Sequence, residues 1–218
     1  MKKKLSIFFI AATLFINAQP KGKDAQMAAT LTKGYYCNFK GDTVKGEVQI
    51  NPTNGEPDFY KGFSFKIGKG KVTPISTKKA RAYGFDDRNF TLIPFDAGEV
   101  YIEYLAKGRL NLLEYKYASS KGGQPIVESI YFIQDTKADE SVKELREIRQ
   151  ISQKFYKKDI KPYMKDQPAT WENLDKFTFN KEVLANAVRE FNKYYDTTPV
   201  KAEVEVEKVG EEPKEETE

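Results

Sequence analysis

The segment from Gly34 to Ile50, GYYCNFKGDTVKGEVQI, constrains the fold most, because its pattern predicts a β-hairpin. A two-residue turn at Gly41-Asp42 suits it, since glycine supplies the positive φ that a type II′ turn needs. With this turn, one face of the hairpin is almost wholly apolar and the other is polar. A slip of one residue would expose the apolar face to water. The segment therefore predicts a sheet that is buried on one face.

The predicted register assigns each side chain of this hairpin to a face. The expected inner pairs are Phe39 with Val44, Cys37 with Gly46, Tyr35 with Val48 and Lys33 with Ile50. Because free cysteine is usually buried, an inward Cys37 predicts a packing residue. The outward row, which we expect to be the interaction face, consists of Tyr36, Asn38, Lys45 and Glu47. The residues expected to shape the hairpin are Gly41, Asp42, Thr43 and Gly46.

Short apolar segments separated by turn residues continue to residue 135. Asn51 to Asp58 (NPTNGEPD) is dense in turn residues, and Pro74 within Val72 to Ile75 suits an edge strand. We count about eight or nine strands joined by short turns. This pattern predicts an antiparallel β-meander, in a sandwich or an open barrel.

The hydrophobic period becomes helical after residue 135. Thr136 to Lys158 carries apolar residues close to helical spacing, which predicts a first amphipathic helix. Pro162 and Pro168 bracket an expected linker. Asn180 can cap a second helix, whose apolar stripe is Val183, Leu184, Ala187, Val188 and Phe191. Strands followed by two amphipathic helices predict one α+β domain, with the helices packed on the sheet.

The two ends of the chain have different compositions from the middle. Three lysines and an apolar run of 12 residues from Leu5 to Ile16 predict a cleaved signal peptide over residues 1–18. The run is short for a membrane span, so we expect export to the periplasm or the medium without stable membrane insertion. Residues 19–32 form an expected leader, 33–135 the sheet region and 136–196 the helical part. Residues 197–218, rich in glutamate and free of aromatic residues, are expected to be a disordered acidic tail.

Charge and composition exclude several functional classes. Removing the signal, with its three lysines and no acids, leaves 33 basic and 32 acidic residues. This balance gives no electrostatic reason to expect a nucleic-acid partner. The chain has no histidine, which excludes Ser-His and Cys-His nucleophilic schemes and most zinc or copper sites. Its single cysteine excludes an internal disulfide. We expect no cofactor and no metal, and these absences favour a protein that is not an enzyme.

Carboxylates are the remaining candidates for acid–base chemistry. Asp86, Asp87, Asp96, Glu99 and Glu103 lie within 18 residues of each other, and paired carboxylates can hydrolyse a glycoside. Acidic residues in turns are usually solvated and help the turn to form. No spacing in this segment forces two of these carboxylates together.

Several segments resemble a group of uncharacterised exported proteins that are common in Bacteroidota. The segments that carry the resemblance are Gly41 to Gly46 (GDTVKG), Val72 to Ile75 (VTPI), Glu99 to Tyr117 and Phe191 to Asp196 (FNKYYD). The likeness extends over most of residues 34–196. It implies an exported protein with this order of strands and helices, and it implies no particular activity.

Three functions are compatible with these observations. The first is a non-enzymatic periplasmic or secreted binding domain, with an envelope protein or a glycan as partner. The second is a carrier whose sheet curls around an apolar ligand, as small barrels can. The third is a carboxylate-dependent hydrolase, which would need two carboxyl groups about 5 to 9.5 Å apart in a cleft.

Overall fold

A computed structural model describes residues 29–137, 146–165 and 167–197 of the chain. The predicted signal peptide, most of the predicted leader and residues 198–218 of the predicted tail lie outside these ranges. The strands are β1 (Leu31–Cys37), β2 (Thr43–Gln49), β3 (Gly62–Lys66), β4 (Thr73–Ser76), β5 (Ala82–Phe85), β6 (Arg88–Phe95), β7 (Gly98–Ala106), β8 (Leu110–Lys121), β9 (Gln124–Asp135) and β10 (Arg149–Ile151). The helices are a 3-10 helix (Glu56–Tyr60), α1 (Tyr156–Met164), α2 (Pro168–Asp175) and α3 (Lys181–Thr197).

The ten strands form one antiparallel sheet, in the order β10-β9-β8-β7-β6-β5-β1-β2-β3-β4. The first strand lies inside the sheet because β2 to β4 extend from one side of it and β5 returns to the other side. Within the described ranges the sheet is open, with β4 and β10 as its edges. The edge position expected from Pro74 is confirmed for β4. The α+β class, with an antiparallel meander followed by helices on the sheet, is also confirmed.

One row of residues crosses the inner face of the sheet, with each residue paired to the next. The row is Val44, Tyr36, Tyr83, Phe90, Glu103, Glu114, Tyr131 and Ile151. Its first half belongs to an aromatic core over β2 to β7, which includes Tyr60, Phe63, Phe65 and Tyr83. Its last two residues belong to a second core beneath the helices. Two glutamates therefore lie where the two cores meet.

The opening hairpin exists, but its predicted turn is wrong. Asn38 and Asp42 close a three-residue loop, in which the Gly41 N–H donates to the Asn38 carbonyl at 3.1 Å. Gly41 has φ of 96°, as in the left-handed residue that follows a type I turn in such loops. The Asn38 side chain supports the loop by accepting hydrogen bonds from the N–H groups of Lys40 and Asp42, both at 2.9 Å.

The change of loop reverses the predicted faces of β1. Tyr35 now pairs with Lys45 and Tyr36 pairs with Val44, a shift of three residues from the predicted register. Because side chains alternate along a strand, an odd shift exchanges the two faces of one strand. Cys37 is therefore half-buried beside Thr43 on the outer face, with its Sγ 3.5 Å from Thr43 Oγ1, and its prediction as an inward residue is wrong.

The helices cover the inner face at the β7–β10 end. α3 contacts β7 and β8, α1 contacts β10, and α2 packs between α1 and α3. The predicted cap of α3 is confirmed, because the Val183 N–H donates to Asn180 Oδ1 at 3.1 Å. The predicted stripe is confirmed too, with Leu184, Val188 and Phe191 buried in the core beneath the helices. None of the described helices is both long enough and apolar enough to cross a membrane.

The predicted helix from Thr136 to Lys158 is wrong over residues 146–155, whereas its last three residues do lie in α1; residues 138–145 lie outside the described ranges. Residues 149–151 form β10, which pairs with the free side of β9. Ile148 packs on the outer face of the sheet and Ile151 beneath the helices. Residues three apart in an extended segment face opposite ways, so this spacing fits a strand buried on both sides. The expected linker is partly helical, since Pro162 lies within α1 and Pro168 begins α2, where proline's missing N–H costs no bond.

Candidate functional site

The structure separates the four residues of the expected interaction face. Lys45 and Glu47 lie on the outer face as predicted. Tyr36 lies on the inner face, where its ring is 5.0 Å from Phe65. The amide of Asn38 is used inside the hairpin loop. The predicted face is therefore corrected: Lys45 and Glu47 of β2 remain in it, and Tyr36 and Asn38 do not belong to it.

The four residues expected to shape the hairpin have distinct places. Gly41 lies in the loop, Asp42 closes it and Thr43 begins β2. Gly46 faces inward, and a Cβ atom at this position would meet the Lys66 carbonyl oxygen and the Phe65 ring. The inward prediction for Gly46 is confirmed, because it depended only on the alternation of β2.

The outer face of the β1–β2 hairpin carries an open groove of about 490 Å³. We call it the hairpin groove, and its lining residues are Lys33, Gly34, Tyr35, Thr43, Lys45 and Gly46. Gly34 and Gly46 have no side chains, so backbone atoms form the floor of the groove. Neighbouring positions of the two strands supply its walls, which are the side chains of Lys33, Tyr35, Thr43 and Lys45. The groove thus combines one aromatic ring, one hydroxyl and two ammonium groups.

Tyr35 is held in place within the hairpin groove. Its hydroxyl donates a hydrogen bond to Asn89 Oδ1 at 2.6 Å. Its ring lies against Gly84, since a Cβ atom on Gly84 would come within 2.8 Å of the ring. Burial, followed by the neighbouring Cys37 and Tyr104, raises the pKa of Tyr35. The hydroxyl therefore stays protonated and keeps its hydrogen bond over the ordinary range of pH.

The two lysines of the hairpin groove keep their charges available. Within the described ranges, neither Lys33 nor Lys45 has a carboxylate oxygen within 4 Å. Glu47, which is paired with Lys33 across the strands, forms its salt bridge with Lys66 at 3.2 Å instead. No acidic residue lines the groove. The surface of the groove is itself mostly apolar. Its charge comes from the two exposed ammonium groups of Lys33 and Lys45, which no residue of the lining neutralises.

A second surface combines lysines with aromatic rings but differs in its charge. Phe155 and Phe177 are exposed beside a cleft of about 430 Å³. Lys157 in this cleft forms a salt bridge with Asp175 at 3.4 Å, and the Lys154 ammonium lies 5.2 Å from the Phe155 ring. Among the described residues, Lys157 is therefore the lysine of this cleft that is paired with a carboxylate, while Lys154 and Lys158 also line it. A third groove, of about 510 Å³ between the 3-10 helix and β4, uses rings that are buried in the aromatic core.

A partly buried set of charges lies where the two cores meet, and we call it the charged seam; only its Glu103 and Glu114 are buried. Its members are Glu56, Arg88, Glu103, Glu114, Lys116 and Lys181. Arg88 binds both oxygens of Glu103, through Nε at 2.8 Å and Nη2 at 2.6 Å. The Tyr60 hydroxyl adds a third bond to Glu103 at 2.8 Å. Arg88 also contacts Glu56 at 2.5 Å, so one guanidinium neutralises two carboxylates.

The other half of the charged seam surrounds Glu114. The hydroxyl groups of Ser129 and Tyr131 donate to Glu114 Oε1 at 2.7 and 3.1 Å. Lys116 and Lys181 place their ammonium groups 3.7 Å from Oε2. Like charges directly opposite each other destabilise a sheet, and these cations offset the repulsion between Glu114 and its strand partner Glu103. Both buried carboxylates are thus committed to structural ion pairs.

The pKa values of the seam follow from these contacts. Burial raises the pKa of Glu56, but hydrogen bonds and charge from Arg88 and then Lys116 outweigh it and hold the pKa below its usual value. Burial by itself would lower the pKa of Arg88. The hydrogen bonds to Glu103 and Glu56 outweigh this effect, and the pKa of Arg88 lies above its usual value. Burial and the Glu103 carboxylate raise the pKa of Tyr60. Arg88 is therefore a permanent cation and Tyr60 a permanent donor.

The carboxylates singled out for acid–base chemistry do not converge. Asp86 and Asp87 form the exposed turn before β6, whereas Asp96 lies in the exposed turn after it. These turns are separated by the eight residues of β6, about 25 Å of extended chain. Glu99 is exposed near the second turn, and Glu103 is bound by Arg88. Within the described ranges, no group of three His, Cys, Asp or Glu side chains is arranged to hold a metal ion.

Sequence reasoning missed Tyr35 and Lys33 as members of the outer face. Asn38-Phe39-Lys40-Gly41 contains the signal that would have found them, since asparagine first and glycine fourth is typical of a type I turn. The charged seam had no comparable local signal. Its members come from β6, β7, β8, α3 and the 3-10 helix, and strand pairing alone brings them together.

Comparison of the chain with protein-family models, with curated proteins and with solved structures found no significant match.

Proposed function

We propose that the chain is an exported, non-enzymatic binding domain whose binding surface is the hairpin groove. The observation that carries this proposal is the combination of a fixed aromatic ring with two lysines that have no acidic partner. A charged side chain that folding does not neutralise can form its ion pair with a ligand. A restrained ring loses little conformational entropy when a ligand packs on it.

The buried part of the molecule supports binding over catalysis. Glu103 and Glu114 lie opposite each other, but each is already bound by side chains of the protein: Glu103 by Arg88 and Tyr60, and Glu114 by Ser129, Tyr131 and two lysines. A hydrolase would need one such carboxyl group to exchange a proton with a substrate in a cleft. The exposed acids Asp86 and Asp96 lie at opposite ends of β6.

The packing of the interior also favours a surface site over an internal carrier site. Aromatic rings pack together on the inner face of the sheet, with Tyr83 stacked between Phe63 at 4.0 Å and Phe90 at 4.4 Å. An apolar ligand would have to displace these rings. Export is supported by the amino-terminal pattern of the sequence, and intact-mass analysis tests it: the exported chain should begin at Gln19.

The binding test compares two variants that lose the same charge. Lys33→Ser with Lys45→Ser removes both ammonium groups of the groove, whereas Lys121→Ser with Lys165→Ser removes two exposed lysines far from it, at the end of β8 and directly after α1. Each purified chain is immobilised and exposed to an envelope extract of the source organism. Thermal unfolding of both variants is measured in parallel.

We expect the groove variant to retain at least tenfold less envelope material, while the distant variant retains as much as the wild type. Both variants should unfold at the wild-type temperature, because these exposed side chains support no buried contact. Equal retention by the groove variant and the wild type would refute the proposal, and so would equal losses in both variants.

A further inference from the structure

We propose that the ligand of the hairpin groove is an acidic polysaccharide that carries carboxylate groups, such as a polymer of uronic acids. This inference rests on the proposed function, and it specifies the chemistry that the groove recognises. It assigns Tyr35 as the stacking platform, and Lys33 and Lys45 as the partners of carboxylates along the ligand.

Tyr35 has the restraint that a stacking platform needs. Its ring is held from below by the backbone at Gly84, and its hydroxyl is tied to Asn89 at 2.6 Å. The ring also forms part of the groove wall. A sugar ring presents a face of C–H groups, which gains by covering an aromatic surface. Because the ring is already ordered, little rotamer entropy remains to be lost when the sugar binds.

Both lysines lie near the base of this side chain, because the ring itself extends over Gly84 of β5 towards Asn89 of β6. Lys45 is directly opposite Tyr35 on the neighbouring strand, about 5 Å away at Cβ. Lys33 is two residues before Tyr35 on the same strand, and so faces the same way. Two separate single charges fit separate single carboxylates along a polymer. The lining holds no acid that would repel such a ligand.

The strands of the groove disfavour a peptide ligand that binds by strand addition. β1 is paired on both sides, with β2 and β5, and β2 is paired with β1 and β3. Peptides that add a strand to a sheet need a free edge for their main-chain hydrogen bonds. The ligand of this groove must therefore be recognised through side chains. A polysaccharide offers ring faces and carboxylates to side chains, without needing a strand edge.

The experiment uses the mature full chain and uronic acid polymers as probes. Binding of polygalacturonate, alginate and hyaluronan oligomers is measured by calorimetry at low and moderate salt. Oligomers of neutral galactose serve as the uncharged comparison, and poly-glutamate as the acidic peptide comparison. The variants are Tyr35→Ala, Tyr35→Phe, and the two lysine pairs described above.

We expect the wild type to bind at least one uronic acid polymer, tenfold or more tightly than neutral galactose oligomers. Removing Lys33 and Lys45 should weaken this binding at least tenfold and reduce its dependence on salt, whereas removing Lys121 and Lys165 should leave it unchanged. Tyr35→Ala should weaken it similarly. Tyr35→Phe should retain most of the affinity, because the ring remains. The lysine variants keep the test valid if Tyr35→Ala does not fold.

Each contrary result separates this inference from the proposed function. If none of the uronic acid polymers binds, but Lys33 and Lys45 still determine retention of envelope material, the surface is correct and the ligand class is wrong. Poly-glutamate binding as tightly as the polysaccharides would identify an acidic peptide as the ligand, and would overturn the inference. If neither the binding of the polymers nor the retention of envelope material depends on Lys33 and Lys45, the proposed function is refuted as well.

Discussion

The side chain of Asn192 on α3 makes two hydrogen bonds with one residue of the sheet, Leu110 at the start of β8. The Leu110 N–H donates to Asn192 Oδ1 at 2.8 Å, and Asn192 Nδ2 donates to the Leu110 carbonyl at 2.9 Å. Asn192 is buried, and Gly108 leaves the space that its amide occupies. One carboxamide thus ties the last helix to the sheet.

Replacing this amide should destabilise the fold. Asn192→Ala leaves the N–H and the carbonyl of Leu110 buried without their partner, at a cost of about 1–3 kcal/mol for each unpaired group. The measurement is the free energy of unfolding in urea. Asn186→Ala, on the exposed side of the same helix, is the control and should change it by less than about 0.5 kcal/mol. Equal effects from the two variants would contradict the structural role of Asn192.

The charged seam should behave as a unit. Arg88→Met leaves the buried Glu103 carboxylate without its cation, and breaking a buried pair typically costs about 3–5 kcal/mol. Adding Glu103→Gln should recover part of this loss, because glutamine is uncharged and can still accept the hydrogen bond of Tyr60. Urea unfolding of the two single variants and the double variant measures the coupling. Additive losses would show that Arg88 and Glu103 do not depend on each other.

A more exposed ion pair, without a buried carboxylate, provides the comparison for Arg88. Lys66→Met breaks the salt bridge with Glu47 at 3.2 Å, where both side chains remain partly solvated. Such pairs contribute about 0–1 kcal/mol. A loss from Lys66→Met as large as that from Arg88→Met would mean that burial of the seam is not the cause of its sensitivity.

Stability should fall in acid partly through Glu56. Its pKa in the folded chain is held below the unfolded value, which is about 4.3. The stabilising contribution is therefore complete above that pH, and is lost as the pH falls through the folded value. Glu56→Gln should be less stable than the wild type at pH 7, and the difference should shrink towards pH 3. Thermal unfolding across this range measures it, with the exposed Glu99→Gln as control. A difference that stays constant with pH would rule out this role.

The close approach of strands at Gly46 predicts sensitivity to a single methyl group. Gly46→Ala places a Cβ atom against the Lys66 carbonyl oxygen and 2.6 Å from the Phe65 ring, and overpacking typically costs about 1–3 kcal/mol. Gly98→Ala is the matched control, because nothing lies within 4 Å of its added Cβ atom. Denaturant unfolding of both variants provides the measurement. If Gly46→Ala is as stable as the wild type, Gly46 does not face the Lys66 carbonyl oxygen and the Phe65 ring.

Features set by neighbouring residues were readable from the sequence. The start of α3 follows from the Asn180 cap and from an apolar stripe that repeats every turn. The inward positions of Val44, Gly46 and Val48 follow from strict alternation along β2. These signals act over a few residues, so they do not depend on what the strand or the helix packs against.

Features that depend on partners distant in the chain were decided by the tertiary structure. One additional residue in the hairpin loop moved Tyr35 to the outer face beside Lys45, and created the hairpin groove. Residues 149–151 form a strand because they pair with the free side of β9, although the spacing of the apolar residues in this segment suggested a helix.

The charged seam shows the same division most clearly. Glu56 and Arg88 are 32 residues apart in the chain, and only the order and register of the strands bring them within 2.5 Å. The sequence by itself determined the strands of the meander and the start of α3, because backbone alternation and capping are local. The tertiary structure decided which charges meet, because that depends on strand pairing between segments whose local patterns carry no information about each other.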